Sequence, residues 1–171
     1  MTFSKHQGRI LALACLVTVG VLPVPALAGN ASGGGTYFVE PGVLSEFQLS
    51  KGFVQCKIGH AVLPDGTTLE MLMFSTSIGS VTIDSGAKTV TISGTMVSIV
   101  TLRFTDGTSA KLTETVPFTA FAEDNGTPGA GTDFFSLTVM YTDTPGLDQF
   151  DLFGSPAIFA GTLATGDVVV R

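Results

Sequence analysis

The chain carries no tryptophan, and only two tyrosines, two histidines and two cysteines in 171 residues. Each shortage closes a door. A saccharide groove is usually floored by aromatic platforms, and there is little here to build one. Nucleophilic hydrolysis needs a nucleophile, a base and an orienting group. With His6 assigned to an N-terminal leader, His60 is the one imidazole left, and no Gly-x-Ser-x-Gly elbow is present. Cys56 stands four residues from His60. On an extended strand that separation is about 13 Å, too far for a Cys–His dyad or a shared metal. Basic residues are also few. Residues 29–171 hold Lys51, Lys57, Lys88, Arg103, Lys111 and Arg171 against all fourteen acids, a net charge of −8. Such a chain is a poor ligand for nucleic acid, where phosphate neutralisation supplies most of the affinity. It also lacks the Lys/Arg stripe that holds a protein on an anionic membrane surface.

The N-terminus has the form of a Sec-type signal peptide over residues 1–28. Lys5 and Arg9 make a basic start, residues 10–22 form an apolar run, and Ala26-Leu27-Ala28 ends in the small residues that signal peptidase accepts. The run is shorter than the roughly 20 apolar residues of a membrane span. Cleavage is expected after Ala28, giving a secreted or periplasmic protein that begins at Gly29. Cys15 leaves with the signal. Cys56 then remains alone in an oxidising compartment, and its alternation with Val54 and Ile58 predicts a buried, unreactive thiol.

Beyond the leader no helical period is sustained, and the chain reads as all-β. Thr, Ser, Val and Gly dominate, and turn signals recur every 8 to 15 residues or so. Residues 29–35, "GNASGGG", read as a flexible Gly/Ser leader. Strands are predicted over 43–50, 52–63, 67–75, 80–84, 88–93, 95–105, 109–122, 132–142 and 156–165, with a last turn at Gly166-Asp167 onto "VVVR". The Asp-Gly pairs at 65–66 and 106–107 are strong hairpin signals. Short links imply a single domain, residues 36–171, built as an antiparallel meander of about 8–10 strands and folded into a small β-barrel or β-sandwich. The longest irregular connection, 142–155, carries Leu147, Phe150, Leu152 and Phe153 and is expected to pack over one end of the core. Residues 95–104 are apolar on both faces: Met96, Val100, Leu102 and Phe104 on one, Val97 and Ile99 on the other. Missing aromatic girdles and polar residues on both faces of several strands argue against an outer-membrane barrel.

Two sets of residues could carry chemistry. Glu70, Glu114 and Asp133 are carboxylates that strands could bring together for acid–base work. In "EDNGTPGAGTDFF", the acids Glu123, Asp124 and Asp133 with Asn125 could offer oxygens to Ca²⁺. The spacing is not that of an EF-hand. Asp124-Asn125-Gly126 and Thr127-Pro128-Gly129 are two good turns, and they account for the loop without a metal. No catalytic residue and no cofactor is expected.

The same loop, "EDNGTPGAGTDFFSLTV", resembles the D-N-G-x-P-G-x-G-D-x-F segment of the post-COAP domain, a small secreted bacterial module. Asp124, Asn125, Gly126, Pro128, Gly129, Gly131, Asp133 and Phe135 follow it nearly in step. The opener Gly33-Gly34-Gly35, the Gly59-His60 pair, "STSI" (75–78), "TISGT" (91–95) and the ending "AGTLATGDVVV" extend the resemblance. It implies an extracytoplasmic β domain, found alone or appended to larger exported proteins, with no catalytic residues to carry over. Together these readings describe a non-catalytic structural or interaction module facing an unknown protein or envelope component. The alternatives are a carrier of a small apolar ligand inside the barrel, or a hydrolase or isomerase using scattered acids.

Overall fold

The computed structural model describes residues 29–171 apart from Leu147. The expected signal segment, 1–28, lies outside the described residues. Eight strands follow in chain order: β1 (Ala31–Glu40), β2 (Val43–Ser50), β3 (Phe53–Val62), β4 (Thr68–Asp84), β5 (Thr89–Arg103), β6 (Ser109–Glu123), β7 (Phe134–Val139) and β8 (Ala157–Val170). Each pairs antiparallel with the next and β8 returns to β1, so the sheet is a closed up-and-down barrel rather than a sandwich.

Because the meander is strictly antiparallel, its connections sort into two poles. Turns 41–42, 63–67 and 104–108 and the long segment 140–156 lie at one pole. Turns 51–52 and 85–88, loop 124–133 and both ends of the described chain lie at the other.

Alternation decides which face points inward. In β3, Val54, Cys56 and Ile58 are buried while Lys57 is exposed. In β5, Met96, Ser98, Val100 and Leu102 face the interior, and Val97 and Ile99 face out, half-buried, in register with Phe74 and Leu72 of β4. Apolar residues fill the inside and Glu46, Gln48, Thr113 and Thr115 lie outside, the reverse of a transmembrane barrel. Among the described residues no helix is long and apolar enough to cross a membrane. An eight-stranded barrel has a bore that side chains can just fill. Here Phe47 stacks on Phe135 with ring centroids 4.1 Å apart, Tyr37 leans on Phe135 at 5.5 Å, and Met71, Met73 and Met96 are fully buried beside further aliphatic residues. Each such side chain contributes about 1.5–3 kcal/mol of hydrophobic stabilisation.

Four expectations need correction. The Gly/Ser segment 29–35 is not a flexible leader: from Ala31 onward it is β1, the strand that closes the barrel between β2 and β8. Close approach at the β1–β8 seam requires glycine on both strands. A Cβ on Gly35 would overlap the carbonyl oxygen of Thr165, and one on Gly166, at φ 98°, would overlap that of Gly34. Gly166-Asp167 is therefore part of an irregular seam inside β8, not a turn. The segments expected at 67–75 and 80–84 merge into β4, and those at 88–93 and 95–105 into β5, because bulges at 75–77 and 78–80 absorb the irregularity. Gly94 marks not a break but a contact, since a Cβ there would overlap the carbonyl oxygen of Ser77. Finally, one short helix exists where none was expected: α1 (Gln149–Phe153), five residues within segment 140–156.

Candidate functional site

The two poles differ in kind. The pole carrying the chain ends is sealed by hydrogen bonds. The backbones of Asn30 and Arg171 exchange bonds of 2.7 and 2.8 Å, and Lys88 Nζ donates to the Val170 carbonyl at 3.0 Å. Loop 124–133 closes the rest. Asp133 is fully buried; its Oδ1 accepts from the Asn125 N–H at 2.8 Å and its Oδ2 from the Val168 N–H at 2.7 Å. Asp124 accepts from the N–H groups of Gly126 and Val170. Asn125 Nδ2 donates to the Thr132 carbonyl, and Glu123 is the half-buried last residue of β6. The carboxylates of Asp124 and Asp133 thus tie the loop to β8, in the manner of turn-forming Asp side chains. Among the described residues no group of three or more His, Cys, Asp and Glu could hold a metal ion. One neighbour escaped the sequence reading. Asp167 Oδ1 is buried with no hydrogen-bond partner among the described residues, and it flanks Gly129 beside the Asp133 carboxylate.

The remaining sequence candidates do not converge. Glu70, at the start of β4, lies 4.0 Å from Arg103 in an exposed ion pair. Glu114, on β6, accepts from the Thr142 N–H at 3.0 Å. Asp133 is at the opposite pole. Cys56 points into the barrel and His60 points out, so the two are on opposite faces of β3. The thiol sits 3.2 Å from Ser45 Oγ and 3.4 Å from Tyr37 OH. Burial pushes the Cys56 thiol up from its ordinary value, against the smaller opposing effect of those hydrogen bonds. Burial likewise raises the Tyr37 phenol, with the nearby Cys56 adding to it.

The other pole is open and apolar. Between β7 and β8 the chain leaves the sheet, and segment 140–156 lies over the barrel end. Its anchor is Gln149, 1% exposed. Gln149 Nε2 donates to the Ser98 carbonyl at 3.0 Å, and Ser98 Oγ donates to Gln149 Oε1 at 2.5 Å. Tyr141 OH meets Ser98 Oγ at 3.0 Å, and burial pushes the Tyr141 phenol up to about 12. Phe153 then bridges Tyr141 and Phe159, each with ring centroids 5.8 Å away. Leu152 and Phe153 pack against the core, as expected for this connection. Leu147 and the Phe150 side chain lie outside the described residues.

Beside this cap is a cavity of about 300 Å³. Its walls are Val39, Glu40, Val43, Ile58, Ala61, Leu63, Leu69, Leu152, Phe153, Ala157, Ile158 and Phe159. Eleven of the twelve are apolar, and Glu40 is the single charge. The surface around it continues the theme. Among the described residues, the large hydrophobic ones that stay exposed are Phe38 (54%), Leu44 (40%), Val62 (62%), Met140 (47%) and Ile158 (64%). All five stand at this pole, on an arc of neighbouring strands from the end of β7 through β8, β1 and β2 to β3. Phe38 and Leu44 are cross-strand partners, and Ile158 is itself a wall of the cavity. Scattered apolar residues are ordinary on a surface, whereas a cluster rimming a concavity marks a binding site. Sequence reasoning did not assemble this mouth. Its signal is the position of each residue next to a turn of the same pole, which emerges only once the strands are in order.

No protein-family model, curated protein or solved structure matches the chain.

Proposed function

We propose that the protein is a non-catalytic binding module, secreted or periplasmic, and that its interface is the apolar mouth of the barrel. The observation that carries this reading is the gathering, among the described residues, of all five exposed large hydrophobic residues at the one pole that also holds the cavity. A module that works through its surface needs a filled core and an exposed apolar patch, and this barrel has both. The carboxylates weighed for catalysis are occupied with turns, an ion pair or backbone amides and do not meet in the mouth. Export rests on the leader sequence, with Gly29 as the first residue of the exported form. The likeness of loop 123–135 to the post-COAP segment accords with such a role.

The test is binding of Nile red, an uncharged apolar dye, to the protein beginning at Gly29. Its emission should rise and shift to the blue with the wild-type protein. Ile158→Ser, at an exposed site, should weaken the dye by about tenfold, the equivalent of about 1.4 kcal/mol and close to the burial energy of one aliphatic side chain. Ala61→Trp should fill the cavity and abolish the signal. Dye binding that ignores both changes would remove the mouth from consideration.

A second reading is supported by the cavity's volume, which reaches the lower end of the range for small-ligand pockets. In that reading the mouth holds a small apolar molecule for transport. Native mass spectrometry of protein from its own host separates the two. An adduct lost on denaturation favours the carrier, and a bare mass favours the module.

A further inference from the structure

We propose that the partner taken by the mouth is a basic polypeptide segment that inserts one apolar side chain between flanking lysines or arginines. This rests on the mouth being the interface, and adds the chemistry of what it selects.

The argument is one of charge placement. The β1–β2 and β7–β8 hairpins supply most of the mouth, and residues 29–50 and 134–170 contain not one Lys or Arg. Four of the six acids there stand at the same pole as the cavity, Glu46 lying midway along β2 and Asp167 at the opposite pole. Glu40 is a wall of it, and Asp143, Asp148 and Asp151 lie in the segment that carries Leu152 and Phe153. Glu40, Asp143 and Asp151 are exposed. Among the described residues, the Lys and Arg side chains of this pole are Arg103 and Lys111, both across the rim on the β5–β6 hairpin, with Arg103 beside Glu70. Lys51, Lys88 and Arg171 belong to the opposite pole, and Lys57 lies on the outer face midway along β3. An apolar cavity whose β1–β2 and β7–β8 side carries only negative charge attracts the opposite sign and repels its own, which sets partner choice more than raw affinity.

The shape favours a side chain over a lipid tail. The bore is filled by Tyr37, Phe47, Phe135 and Met71, and the cavity at its mouth holds about 300 Å³. One Leu or Phe fits in it, whereas a long acyl chain finds no channel.

The experiment compares two labelled peptides by fluorescence anisotropy: a Phe flanked on each side by lysines, and the same peptide with glutamates in place of the lysines. The basic peptide should bind, more weakly as NaCl rises from about 0.05 M to about 0.5 M, since rim charges are screened over that range. The acidic peptide should not bind. The double variant Asp143→Asn/Asp151→Asn, at exposed positions outside the cavity wall, should weaken the basic peptide, narrow the gap between the two, and leave Nile red binding unchanged. Equal binding of both peptides, or a gap untouched by the double variant, would overturn the charge selection while the apolar mouth stands. Nile red binding without either peptide would overturn the peptide partner, as would attachment to phosphatidylcholine vesicles in place of peptide. Loss of dye and peptides alike would sink the mouth itself, and this proposal with it.

Discussion

At the scale of the residue, the interior is unusual in where it keeps its protons. Cys56, Tyr37 and Tyr141 are acids held protonated above their ordinary values, chiefly by burial. The folded state therefore retains a proton that the unfolded chain has released, and stability falls wherever that difference exists. Below the ordinary thiol value of 9.0 the contribution of Cys56 is complete, and it is lost as pH rises through the folded value. Stability should thus be level to about pH 8 and then fall, by about 1.4 kcal/mol per pH unit for one such group. The decline should steepen above 10.0, where the tyrosines join. In Cys56→Ala the onset should move up toward 10.0, as read by urea midpoints against pH. An unmoved onset would mean that the thiol has no part in it. The position of Cys56 was legible in the sequence because Val54 and Ile58 alternate with it. The partners of Asp133 were not, since Val168 lies 35 residues away and no local pattern points to it.

At the scale of the element, legibility followed the flanking signals. β2 was readable to the residue because Pro41-Gly42 and Lys51-Gly52 bracket a clean alternation. β1 was hidden because three consecutive glycines erase the side-chain pattern on which a strand is recognised. Strands were cut short at Gly79, Gly94 and Gly166 because glycine has the same letter at a turn, a bulge or a tight contact. The seam gives the prediction that belongs here. Gly35→Val places a branched side chain against the Thr165 carbonyl, which β8 cannot yield without losing its register. The cost should be about 3 kcal/mol or more, in the range of severe steric substitutions. A lowered denaturation midpoint and early amide exchange in β1 and β8 would show it. Gly34→Ala should be far milder, because a Cβ there comes no closer than 3.3 Å to a neighbour. Equal effects of the two changes would remove the steric account.

At the scale of the whole molecule, an all-β meander was legible, since nearly every link is short and neighbouring strands in sequence must pair. Closure was not, because it depends on residues at the two extremes of the domain recognising each other. The mouth shared that fate: its walls come from the beginning, middle and end of the chain. Cohesion within the barrel is uneven as well. β4 and β6 each pair with β5 over fifteen residue pairs, whereas β1 and β8 share seven. In native-state hydrogen exchange the amides of β5 should be the last to open, and those of the seam should open earlier. Uniform protection around the barrel would contradict this.

The seam also sets a clock. Ala31 pairs with Val170, so the first strand of the domain has no second neighbour until the last has been synthesised. Six hairpin connections can form without β8, but the cylinder can close only when Val170 has reached Ala31, and loop closure over such a length is the slow step of a β topology. Through that interval β1 waits with one edge bare. Its run of glycines, poor in β propensity and without side chains to interlock, makes it a weak template for any other strand that passes.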